Sequence, residues 1–117
     1  MGTIVAELKA ASLEFLGTTV FLLLGLGGIQ AGASNNGAPV EQTIYAATSM
    51  GLSLLVSAWL FYRVTGGLFN PNISLALWLI GVISPVRFVL YCIAQLVGGI
   101  AGAALVRALT SEPYLVK

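Results

Sequence analysis

The chain has 117 residues, 58% of them hydrophobic and 8% charged, with a formal net charge of +1. Soluble domains carry roughly a quarter charged residues, so this sequence cannot cover a water-facing surface. It has no basic cluster to attract nucleic acid, and no His, no Asp and a single Cys. Neither a zinc site nor a Ser-His-Asp triad can be assembled within it. The expectation is a non-enzyme with no cofactor, no metal and no nucleic-acid partner.

Nine charges punctuate the chain: Glu7, Lys9, Glu14, Glu41, Arg63, Arg87, Arg107, Glu112 and Lys117. Between them lie uncharged stretches of 26 residues (15–40), 21 (42–62), 23 (64–86) and 19 (88–106). A bilayer span takes about 20 predominantly apolar residues. The chain is therefore expected to be an integral, multi-pass membrane protein, with plasma and vacuolar membranes both open.

The first predicted span covers residues 8–32. Its apolar run is too long, and lacks the basic lead, for a cleavable signal. It ends in the sequence AGASNNGAP, whose Gly, Ser, Asn and Pro predict an exposed loop over residues 31–41. A second span follows over residues 42–62 and stops at Arg63. The last span, residues 85–109, has Ser84 as N-cap and Pro85 at the first helical position.

The third uncharged stretch differs. Gly66-Gly67 and Asn70-Pro71 interrupt its first half, where a continuous helix would break. Only residues 71–80 remain for a helix, roughly 15 Å against a hydrocarbon core of roughly 30 Å. That length predicts a half-helix that enters the membrane and returns. Non-helical backbone at this depth must be buried in protein or line water. The predicted fold is all-α, with three transmembrane helices and one re-entrant half-helix. Lys9, Arg63 and Arg87 would share one side, which the positive-inside rule makes cytoplasmic. Arg107 and Lys117 count against it, three to two.

The half-helix carries the chemistry. With Pro71 at its first position, the amides of Asn72, Ile73 and Ser74 have no intrahelical partner. They would face mid-membrane with the positive end of the helix dipole, and Asn70 as N-cap would add its side-chain amide. In a water-filled path such donors orient passing oxygens and disfavour cations. Ten residues above Pro85, Gln95 should reach the same depth as this tip, with the carbonyls of residues 66–69 as its acceptors. Glu14 lies well inside the first span, where carboxyl groups are functional by default; it is expected to accept from loop amides. Small residues at four-residue spacing (Ala94, Gly98 and Gly102; Ala47 and Gly51; Ser53 and Ser57) predict close helix packing. Cys92 reads as a small apolar residue, and the sequon Asn72-Ile73-Ser74 as chance.

In order, ELKAASLEFLGT, SMGLSLLVS, TGGLFNPNISLAL and YCIAQLVGGIAGAAL resemble the N-terminal repeat of the aquaporin (major intrinsic protein) family, with a fungal character. The resemblance covers nearly the whole chain. It implies one of two inverted three-helix repeats whose half-helices meet at mid-membrane, in a tetramer. Asn70 would then be the pore asparagine of an Asn-Pro-Ala motif, beginning with Pro71. Gly66, Gly67, Leu68 and Phe69 would form the carbonyl ladder, and Glu14 and Gln95 would support the loop. The pattern departs at three positions. Asn72 replaces the usual Ala, Leu68 replaces a frequent His, and Met50 takes the place of the filter's aromatic residue, which widens the expected solutes from water to small neutral molecules such as glycerol. The chain holds residues 1–117 as a single such repeat, which cannot enclose a pore alone. A fragment, a truncated product, and a half that pairs with a second repeat or another copy all fit. Two further readings remain: a non-conducting membrane subunit, and a small proton-coupled multidrug exporter, which needs four full spans.

Overall fold

The computed structural model describes residues 2–34 and 38–110. Four helices follow one another: α1 (Gly2–Ser34), α2 (Pro39–Thr65), α3 (Pro71–Leu79) and α4 (Pro85–Leu109). Three are long and apolar enough to cross a membrane, over Ile4–Ala33, Pro39–Thr65 and Pro85–Leu109. At nine residues, α3 reaches only about 14 Å. Four full spans are therefore not present among the described residues, and the exporter reading falls.

Two boundaries differ from expectation. The helices extend into the predicted loop, with residues 31–34 closing α1 and residues 39–41 opening α2. Pro39 takes the first position of α2, where its fixed φ and missing N–H suit a helix start. Near a bilayer the backbone has few partners other than itself, so Gly- and Ser-rich sequence that would loop in water stays helical. The centre of that predicted loop lies outside the described residues.

Helix α1 packs against both α2 and α4, and α3 packs on α4. The α1–α4 crossing is close because small residues line it. A Cβ on Gly98 would fall 2.8 Å from the Phe15 carbonyl oxygen, and one on Gly102 would fall 3.0 Å from that of Thr19. The Thr19 hydroxyl reaches the Gly98 carbonyl at 3.3 Å. On α2 the small-residue expectation holds for Ser53 and Ser57, which are buried. Ala47 and Gly51 instead face outward, and nothing lies within 4 Å of a Cβ built on Gly51.

The interior is more polar than the exterior. Among the described residues, nine buried side chains are polar or charged and seven are apolar, whereas large apolar side chains cover the outside. That inversion suits a lipid surround. Trp59, 82% exposed, and Tyr62 lie beside Arg63 near the end of α2, as aromatic and basic residues do at a membrane–water boundary.

Tertiary bonds also place the ends. Arg87 pairs with Glu7 through two bonds of 2.9 and 3.0 Å, and the buried Tyr91 hydroxyl donates to the Thr65 carbonyl at 2.9 Å. The start of α1, the end of α2 and the start of α4 therefore share one level. Helix α3 leaves and returns at that same end, which makes it re-entrant. Its return is a Schellman motif: Gly81, at φ +83°, donates to the Trp78 carbonyl at 3.0 Å, and Val82 to that of Leu77 at 2.8 Å. Trp78 stacks on Phe88 of α4, with centroids 4.9 Å apart.

Candidate functional site

The loop between α2 and α3 makes its turn in three left-handed residues. Gly66 (φ +88°) ends α2, and Gly67 (+62°) and Phe69 (+53°) complete the reversal. Glycine adopts this region at no steric cost; a phenylalanine does so only when its surroundings hold it. Here they do. The Phe69 N–H donates to Glu14 Oε1. Its ring lies between Phe21, stacked at 6.1 Å, and Phe61, edge-on at 6.1 Å, above Gly17, where a Cβ would collide with it.

Asn70 caps α3. Its Oδ1 accepts from the Asn72 N–H at 2.8 Å, and its carbonyl accepts from the Ser74 N–H at 3.0 Å and hydroxyl at 3.1 Å. Two of the three amides expected to be free are thus engaged, those of Asn72 and Ser74. What Asn70 retains is its side-chain NH2 group on an exposed residue.

Gln95 bonds differently from expectation. Its Nε2 donates to Glu14 Oε1 at 3.0 Å and to Ser74 Oγ at 2.8 Å, not to the loop carbonyls. Because Glu14 takes the Phe69 amide, its carboxyl group stands between the loop and α4 and meets Gln95 first. The result is one buried chain of bonds, from α4 through Glu14 to the loop and through Ser74 to the α3 tip. Gln95 thus sits level with the first turn of α3.

Asn70, Pro71 and Phe69 line one open groove of about 550 Å³ together with Met50, Gln95 and Phe21. Buried beside it, Thr18 Oγ1 and Gln95 Oε1 have no protein hydrogen-bond partner. The other sequence-predicted residues lie elsewhere. Leu68 is packed in the core with Ala10, Ala11, Tyr91 and Ala94; Gly66, Gly67 and Asn72 are outside the groove lining, and Glu14 is fully buried behind it. Sequence reasoning placed only the amide of Ser74 at the site and missed its hydroxyl, which meets Gln95, and it missed Phe61 and Gly17 altogether. A glycine three residues after an intramembrane glutamate was the available signal for Gly17. Ser74 stands one turn past the N-cap.

Residues 2–116 match the family model described as Major intrinsic protein. The chain belongs to the major intrinsic protein (aquaporin) family. It is 62% identical to an aquaporin of Laccaria bicolor, over 94% of this chain and 38% of that protein. It is also 61% identical to Aquaporin-1 of Laccaria bicolor, over the same shares. Aquaporin-2 of Botryotinia fuckeliana is 45% identical over 82% of this chain and 28% of its own length. The chain thus spans well under half the length of these fungal relatives. Family and fold together make it an integral, multi-pass membrane protein of a channel family.

Proposed function

We propose that this chain forms half of a channel for passive transport of water and small neutral solutes such as glycerol. The observation that carries this reading is the capped N-terminus of α3 opening, with Asn70, onto an open groove among apolar helices. The spare Asn70 NH2 group donates to a permeating oxygen, and the positive end of the α3 dipole disfavours cations. Thr18 Oγ1 and Gln95 Oε1 offer further polar contacts in an otherwise apolar wall. Glu14 positions the tip from behind the groove, whereas Gln95 holds the tip through Nε2 and offers Oε1 to the groove.

The groove is open along one side, so a second repeat, supplied by another chain, completes it, in a tetramer as the family resemblance implies. The basic end bearing Lys9, Arg63 and Arg87 faces the cytoplasm. Co-reconstitution tests this reading. The chain is placed in liposomes with the region of the Laccaria bicolor aquaporin that lies beyond its match, and osmotic water and glycerol flux are recorded. Flux above protein-free vesicles supports the reading, and background flux from the pair contradicts it.

A further inference from the structure

Met50 lines the groove from α2, yet its side chain does not stand free in it. A Cβ built on Gly25 of α1 would fall 2.5 Å from Met50 Sδ, 3.5 Å from its Cε and 3.9 Å from its Cα. Gly25 is buried, so the thioether occupies the space that any other residue at position 25 would fill. The atom that would have to yield belongs to a flexible side chain rather than to backbone. Two more α1 glycines receive α2 residues in this way, Gly28 taking Ser49 and Gly32 taking Tyr45. Of these three α2 side chains, Met50 alone lines the groove.

We propose that Gly25 is a seat that holds the Met50 thioether against α1, and that Gly25 thereby sets how large a solute passes. The inference rests on the channel reading above and adds its size-determining residue. Methionine has three rotatable bonds and fills whatever gap is offered, so by itself it defines no fixed width. Docking on Gly25 removes that freedom and fixes how far the thioether reaches into the groove. With the seat filled, the side chain must leave α1, and the groove it lines is the space beside it.

The test has a structural and a transport arm. The chain contains two methionines, Met1 and Met50, so 13C-methyl labelling in lipid nanodiscs gives a spectrum simple enough to assign. In the parent, the Met50 methyl shows a cross-peak to the Gly25 α-protons. In Gly25→Ala the Met50 signal shifts and is broadened more by a water-soluble paramagnetic chelate, while Gly51→Ala, with open space at its Cβ, leaves it in place. An unmoved Met50 methyl in Gly25→Ala overturns the seat. In the co-reconstituted assembly, the glycerol-to-water permeability ratio falls roughly tenfold in Gly25→Ala, as expected for one methylene in an apolar pocket. Adding Met50→Ala to that variant restores the ratio, which a merely structural role of Gly25 would not predict. A displaced methyl with an unchanged ratio overturns the size-selecting role. A parent assembly that does not conduct overturns that role together with the channel reading, and the methyl arm then decides the seat separately. Should Gly25→Ala fail to fold, Met50→Leu keeps Gly25 but replaces the thioether by a shorter branched chain; a ratio equal to the parent there overturns the proposal.

Discussion

In the proposed channel Asn70 serves two roles with one side chain, and substitutions separate them. Its Oδ1 caps α3 through the Asn72 amide, and the residue lines the groove. Asn70→Ala removes both, and losing an N-cap costs about 1 kcal/mol. A neutral hydrogen bond is worth about 0.5–1.5 kcal/mol, so water flux in the conducting assembly should fall by no more than roughly tenfold. Asn70→Asp keeps an oxygen for the cap but sets a carboxyl group at the positive helix end. Its expected signature is a raised cation leak with α3 intact; an unchanged leak in flux assays would refute the electrostatic role. Glu14 behaves differently because it is buried behind the groove. Glu14→Leu strands the Phe69 amide and one Gln95 bond, and each unsatisfied buried donor costs about 1–3 kcal/mol. Glu14→Gln retains an oxygen acceptor. Thermal unfolding in detergent should therefore rank parent above Glu14→Gln above Glu14→Leu, and the reverse order of the two variants would contradict the bond assignment.

At the scale of helices, the α1–α4 crossing sets glycines directly against backbone. The Phe15 carbonyl beside Gly98 is backbone and cannot swing aside. Gly98→Ala should cost about 1–3 kcal/mol, the usual range for overpacking, whereas Gly51→Ala on the outward face of α2 should be neutral or stabilising; equal unfolding midpoints for the two would show that the crossing is loose. The lengths of uncharged runs and the Asn70-Pro71 break were sufficient to read three spans and a half-helix, because bilayer thickness acts directly on sequence. The ends of α1 and α2 were not legible, since loop signals calibrated in water lose force where backbone must bond to itself. Nor was the packing of the Phe69 ring, which depends on Gly17 more than fifty residues away in sequence. Gln95 was placed at the right depth by counting residues along α4. Its partners were misassigned because Glu14 intercepts it, a fact of three dimensions. Gly66 and Gly67 lie where the chain must turn, yet only the described geometry separates the turn from the groove lining.

For the molecule as a whole, topology is the consequence. The Arg87–Glu7 pair and the Tyr91–Thr65 bond put three helix ends at one level, so cysteines substituted at Arg63 and Arg87 should both react with an impermeant thiol reagent from the same side. Reaction from opposite sides would require a fourth crossing and would refute the fold. The groove bearing Asn70 is open, and the proposed channel role depends on a complement. The most direct measurement is stopped-flow osmotic water permeability of liposomes holding the chain alone, and the chain with the complementary region of the Laccaria bicolor relative, at equal protein levels. The account predicts background permeability for the chain alone and permeability well above background for the pair. High permeability from the chain alone, or none from the pair, would contradict it.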